Sequence, residues 1–360
     1  MIRPVSHISA MSAYALADLA PPEGKTLISL SQNESLRPPS PHAIEAAAHA
    51  MHDAQLYPDP DWRALREGLS LLHDVPAQSI LCGCGSMELI ACIARVFADE
   101  ENAVLAPAHA YPFFRTAALL ARARFDTARE DDNQVSITSL FAEVRPDTRI
   151  VFVANPGNPT GSCIANSELR RLREDLPDNV LLVIDEAYGE FSDHLDTPLF
   201  DLVDRGDTVI LRSFSKAYGL AGMRVGWGVF PPAVAAEMRK VMNPNNVTVA
   251  SQAAALAALT DQQFMRDTCK ITAEVRHRFS KRLLEAGFDV PESHTNFVLL
   301  RLRDADQARR ADEVLRREGV FLRPQGGVGL AHCLRATMGP ADSMDIAAGL
   351  LEDWWEEETE

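Results

Sequence analysis

The sequence has no surplus of positive charge to offer a polyanion. Its 360 residues carry 35 Lys and Arg against 51 Asp and Glu, a formal net charge of −16. That excludes the basic face that nucleic acid requires. It argues equally against an anionic membrane surface, so an anionic ligand must be met by local, convergent donors. Long apolar runs are missing too: no window reaches the roughly 20 apolar residues of a membrane-spanning helix. The opening MIRPVSHISAMSAYALADLA lacks the continuous apolar core of a secretory leader, and a cytoplasmic location is expected. Cysteine is sparse, at positions 82, 84, 92, 163, 269 and 333. Only Cys82 and Cys84 are close, with no second Cys or His pair at zinc spacing, so reduced thiols and no metal site are expected. Internal repeats and low-complexity blocks are absent.

What is present is an ordinary balance for a globular chain, 46% hydrophobic and 24% charged, long enough for two lobes. Two kinds of text alternate. Short runs rich in Val, Ile and Leu, at 102–106, 149–154, 180–185 and 208–214, read as buried strands. Longer amphipathic stretches at 86–100 and 166–176 read as helices. The alternation predicts a mostly parallel α/β sheet with ligands at the strand ends. After about residue 245 the text changes to two long helices and then to strands near 296–302, 319–324 and 332–339, a smaller α+β lobe. The expected division is an N-terminal arm at 1–40 joining the small lobe, a large lobe at 41–245 and a small lobe at 246–360. The final DWWEEETE is expected to dock Trp354 and Trp355 and then fray.

The chemistry follows the strands. CGCGSMELI places Gly83 and Gly85 before a helix beginning near Ser86, where free N–H groups and the helix dipole favour an anion. Ser86 can also cap that helix. NPGNPTG after the strand at 149–154 forces a rigid turn holding Asn158. The strand at 180–185 ends on Asp185, which is costly to bury unless it meets a cation, either a protonated ring nitrogen or a local arginine. Tyr188 can point the same way. In SFSKAYGLAGMRVGW, Ser213, Ser215 and Arg224 offer two hydroxyls and a guanidinium fork to a phosphate. Lys216 sits among them, and cationic neighbours with partial burial would prepare it as a nucleophile towards an aldehyde. Phosphate, protonatable ring nitrogen, ring hydroxyl and aldehyde are together the demands of pyridoxal 5′-phosphate.

Across nearly its whole length the chain resembles the fold-type I pyridoxal-phosphate aminotransferases of class I/II, histidinol-phosphate aminotransferases most of all. The resemblance rests on LSQNES (30–35), LYPDPDWRALREGL (56–69), GCGSMELI (83–90), NPGNPTG (155–161), DEAYGEF (185–191), SFSKAYGLAGMRVGW (213–227) and LRATMG (334–339), in family order. It implies a large lobe around a seven-stranded, mainly parallel sheet, a small lobe and a homodimer. It implies that Lys216 is the Schiff-base lysine and acid/base, that Asp185 pairs with the ring nitrogen, and that Asn158 and Tyr188 contact the ring hydroxyl. Gly85, Ser86 and Met87 fall on the phosphate turn with Ser213, Ser215 and Arg224. Tyr57 corresponds to the tyrosine that reaches the neighbouring subunit's cofactor. Arg335 corresponds to the arginine that clamps the substrate carboxylate, Asn33 and Tyr14 to the substrate entrance, and Arg323 to a further position typical of the family, there either for an ion pair or for a substrate phosphate.

The chain departs from the family pattern in three places. Met87 stands where a polar residue is usual, and QNESL stands for the usual NENP. PAHAYPFF is a residue short, which leaves either His109 or Tyr111 to stack on the cofactor ring, with His109 favoured by its position after Pro107. The implied activity is ping-pong transamination between an L-amino acid, or histidinol phosphate, and a 2-oxo acid. A decarboxylase or lyase on the same scaffold is the enzymatic alternative. A non-catalytic regulator is the other, and the acidic charge speaks against it.

Overall fold

The computed structural model describes residues 2–13, 19–192 and 198–359. Among the described residues fourteen strands form in chain order. They are β1 (Ile28–Ser29), β2 (Ile80–Gly83), β3 (Ala103–Pro107), β4 (Arg124–Ala128), β5 (Glu130–Asp131), β6 (Gln134–Val135) and β7 (Thr148–Ala154). The rest are β8 (Leu181–Asp185), β9 (Thr208–Ser213), β10 (Gly226–Val229), β11 (Phe297–Arg301), β12 (Val320–Phe321), β13 (Arg323–Gln325) and β14 (Leu330–Thr337).

Seven of them make one sheet in the order β2-β10-β9-β8-β7-β3-β4. β3, β4, β7, β8 and β9 pair in parallel, whereas β10 runs antiparallel to both β2 and β9. β3, β8 and β9 are buried along their whole length, which is why they read as continuous apolar runs rather than alternating ones. The carboxyl ends of β3, β7, β8 and β9, at Pro107, Ala154, Asp185 and Ser213, lie along one edge of the sheet. That edge is where parallel sheets bind ligands.

The second lobe carries a three-stranded antiparallel sheet, β11-β14-β13, and its own apolar core, with Phe279, Leu300, Leu315, Ala336 and Leu351. β1 pairs in parallel with β12, Ile28 beside Val320, and Leu30 enters this core. The arm thus joins the small lobe through residues 28–30, while its short helix Ser6–Ser9 packs on helix Pro112–Leu120 of the large lobe. Helix Val249–Thr260 buries Ala254, Ala255 and Ala258 in the larger core. Helix Gln262–Glu285 is shared, with Met265 in the larger core and Phe279 and Leu283 in the smaller.

Up to Thr359 the acidic end is helical rather than frayed, contrary to expectation. Helix Ala341–Thr359 continues through the acidic run because cations on neighbouring helices neutralise it. Arg282 Nε meets Glu352 Oε1 at 2.6 Å, and Arg310 pairs with Glu358. Trp355 packs on Phe288 with ring centroids 4.5 Å apart and the planes tilted by 36°. All six cysteines are free thiols. Among the described residues no helix is long and apolar enough to cross a membrane.

Candidate active site

At the carboxyl edge of the sheet a cavity of about 410 Å³ opens between the large lobe, the arm and the β13–β14 strands. Its wall gathers Asn33, Ser86, Met87, Tyr111, Asn158, Asp185, Tyr188, Ser213, Ser215, Lys216, Arg224, Arg323 and Arg335, drawn from positions more than three hundred apart in sequence.

One end is an anion cup. Helix Ser86–Phe97 begins with Gly85 as its N-cap at φ 78, and no side chain caps it. Ser86 is therefore the first helical residue and not the cap, a correction to the sequence reading. The Glu88 amide donates to Gly85 O at 3.2 Å, and no side-chain cap takes the first-turn N–H groups, an arrangement suited to an anion. A Cβ on Gly85 would overlap the Arg224 guanidinium, so glycine is what lets that cation close over the turn. Arg224 Nη1 donates to Ser215 Oγ at 3.4 Å and to Ala221 O at 3.0 Å. The Ser215 amide in turn donates to Ser213 Oγ at 3.0 Å.

The middle holds Asp185 and Lys216. Asp185 is 4% exposed at the end of β8. Burial pushes its carboxyl up to about 7, and the neighbouring Glu186 charge pushes the same way, against the Ala187 amide and Lys216. A buried acid of this kind ionises fully only when a cation is brought to it. Burial pulls the Lys216 amine down to about 8, helped by Arg335 and Arg224 and opposed by Glu34 and Asp185. Lys216 Nζ donates to Asn33 O at 2.9 Å and lies 5.7 Å from the centroid of the Tyr188 ring.

Asn33 is the junction of the arm with this site. It is buried, with φ at 54, a left-handed conformation that Asn tolerates better than most residues. Its Nδ2 donates to Tyr188 Oη at 2.7 Å, and Thr337 Oγ1 donates to its Oδ1 at 3.1 Å. Asn296 Nδ2 donates to both Asn33 O and Glu34 O. Asn296 and Thr337 escaped the sequence reading because they lie 263 and 304 residues from Asn33, with no local pattern to mark them. Arg335 is held by two acceptors, Asn158 Oδ1 at 2.6 Å and Ser31 O at 2.8 Å. Arg323 stands beside it in the β13–β14 register.

Two expected residues are off the cavity wall. His109 is not on the cavity wall: its Nδ1 is bound to Val328 O at 2.7 Å and its amide to Glu130 Oε1 at 2.9 Å, which turns the ring towards the small lobe. Tyr111 takes the wall position. Tyr57 is 88% exposed and off the wall of its own chain's cavity. Tyr14 lies outside the described residues.

The cup, the amine and the buried acid fit the phosphate, aldehyde and ring nitrogen of pyridoxal 5′-phosphate. With this sheet beneath them they put the molecule in the class of fold-type I enzymes that use that cofactor. The chain belongs to the aminotransferase class I and II family, whose model matches residues 25–351. A histidinol-phosphate aminotransferase of Rhodospirillum centenum is 38% identical over 352 residues, covering 96% of each chain. One from Jannaschia sp. is 37% identical over 325 residues, 90% of each. The crystal structure of histidinol-phosphate aminotransferase from Sinorhizobium meliloti in complex with pyridoxal 5′-phosphate superposes with a TM-score of 0.91 at 28% identity, over 99% of this chain and 98% of that one.

Proposed function

We propose that this aminotransferase takes histidinol phosphate as amino donor and passes the amine to a 2-oxo acid. The observation that carries the substrate assignment is the pair Arg323 and Arg335, adjacent across β13 and β14 and both on the cavity wall. Two guanidinium forks suit a phosphate dianion better than a single carboxylate. The names of the relatives support the same reading.

Bound pyridoxal phosphate supplies the electron sink and carries the amino group between the two half-reactions. Gly85, Ser86, Met87, Ser213, Ser215 and Arg224 would hold its phosphate. Asp185 would favour a protonated ring nitrogen, Asn158 and Tyr188 would meet its ring hydroxyl, and Tyr111 on the cavity wall would pack against the ring. Lys216 Nζ would take the proton from the substrate carbon that bears the amine and would hand it on to the cofactor carbon at which the amino group is left. An amine held near neutrality is suited to both tasks at physiological pH. Arg335 and Arg323 orient the substrate's anionic end, and Asn33 closes the entrance.

We assign the large lobe to cofactor binding and the small lobe with the arm to substrate closure, dividing the chain near 40 and 245. A homodimer is part of the proposal, with Tyr57 reaching the partner's cofactor. Its exposure beside exposed Leu56 supports this. The free thiols support a cytoplasmic setting.

The test is a half-reaction screen. Cofactor-loaded enzyme is mixed separately with histidinol phosphate, Phe, Tyr, Asp, Glu and Ala, while cofactor absorbance and oxo product are followed. Histidinol phosphate should react fastest, and Arg323→Ala should raise its KM more than it lowers kcat. A faster reaction with Asp or an aromatic amino acid overturns the substrate and leaves the transaminase. Carbon dioxide and an amine, formed without an oxo acid, mark a decarboxylase.

A further inference from the structure

Strand alternation sends Asp185 and Ser213 into the cavity and their chain neighbours Glu186 and Arg212 to the opposite face of the sheet. β8 and β9 are parallel with Asp185 beside Leu211, and the Glu186 amide donates to Leu211 O at 2.8 Å. On that far face Arg212 is 1% exposed. Its Nε donates to Glu186 Oε2 at 2.9 Å, and its Nη2 lies 2.8 Å from the same oxygen. Its Nη1 lies 3.6 Å from Glu190 Oε1. Glu186 and Glu190 bracket the turn that carries Tyr188 and follows directly on Asp185. The guanidinium also packs on the backbone of that turn. A Cβ on Gly189 would stand 2.9 Å from Nη2 and 3.0 Å from Cζ. The Phe200 ring centroid lies 5.5 Å from Cζ.

None of the three charged residues lines the cavity. Desolvation offsets most of the attraction in a buried ion cluster, so it is a weak source of net stability but a strong fix on geometry. We propose that Arg212 is a positioning residue: bonded to Glu186 and near Glu190 beneath the cavity floor, it locks the turn that aims Asp185 and Tyr188 at the cofactor ring. This rests on the assignment of those two residues to the ring made above.

Four variants test it, each read by the melting temperature of the cofactor-free protein and by the dissociation constant for pyridoxal phosphate. Arg212→Met should lower the first and weaken cofactor binding about 10- to 100-fold, the scale expected when a supporting group displaces a site by about an ångström. Glu186→Gln combined with Arg212→Met removes one anion with the cation and keeps the cluster's net charge. It should regain most of the melting temperature while cofactor binding stays weak. Arg212→Lys should recover part of both. Gly189→Ala keeps every charge but presses on the guanidinium, and should weaken cofactor binding too. If Arg212→Met does not fold, Arg212→Lys and Gly189→Ala carry the test. Native affinity in Arg212→Met or Gly189→Ala overturns the proposal, as does joint recovery of stability and affinity in the double variant. Failure of the unaltered protein to bind the cofactor would instead sink the assignment of the cavity itself.

Discussion

At the scale of single residues, Asp185 and Lys216 are displaced in opposite directions by the same cause, removal from water. Asp185 moves from 3.8 to about 7. Between those values the folded, cofactor-free chain holds a proton that the unfolded chain has lost. Its stabilisation is therefore complete below pH 4 and is lost as pH rises to 7. Lys216 moves from 10.5 to about 8, so its contribution is complete above 10.5 and is lost as pH falls through 8. Denaturant unfolding of the cofactor-free protein across pH should show both slopes, each on the order of a few kcal/mol in total. Asp185→Asn should abolish the lower one and Lys216→Ala the upper. Unchanged slopes in both variants would mean that neither group is desolvated. Asp185 and Lys216 were legible in the sequence because each follows a strand end within a dense local motif. The choice between His109 and Tyr111 was not legible. They are two positions apart on one turn, and which ring faces the cavity depends on Val328 and Glu130, supplied by distant chain.

At the scale of elements, the strands and helices of the large lobe were legible because the sheet is buried on both faces and its connections are amphipathic. The arm was less so. β1 is only two residues long, and what holds it is the β12 pairing and the bonds made by Asn33. Asn33→Ala removes the donor to Tyr188 Oη and the acceptor for Thr337, and places a less tolerant residue at φ 54. The expected loss is about 1–3 kcal/mol of stability, with kcat/KM for the donor falling more than cofactor affinity. Steady-state kinetics beside a cofactor titration would separate the two. An equal fall in both would show that the arm serves the cofactor rather than the substrate. The acidic C-terminal helix escaped sequence reading for a related reason: Arg282 and Arg310 come from other helices.

At the scale of the whole molecule, Leu56 and Tyr57 form an exposed apolar step, 62% and 88% accessible, on a chain of net charge −16. Charge repulsion would oppose the proposed dimer, which would need an apolar seam such as this step to offset it. Leu56→Asp should halve the mass measured by sedimentation and raise the cofactor dissociation constant through loss of the partner's Tyr57. A particle of unchanged mass would remove that step from any subunit contact. A further consequence lies in the reversed direction of β10. Because that strand re-enters the sheet where β9 left it, Lys216 and Arg224 belong to one short excursion of the backbone, and their separation is written into its length. Arg335 and Arg323 ride on the other lobe. Any rocking of one lobe against the other would reshape the berth for the incoming molecule while the clasp on the vitamin stayed as it was.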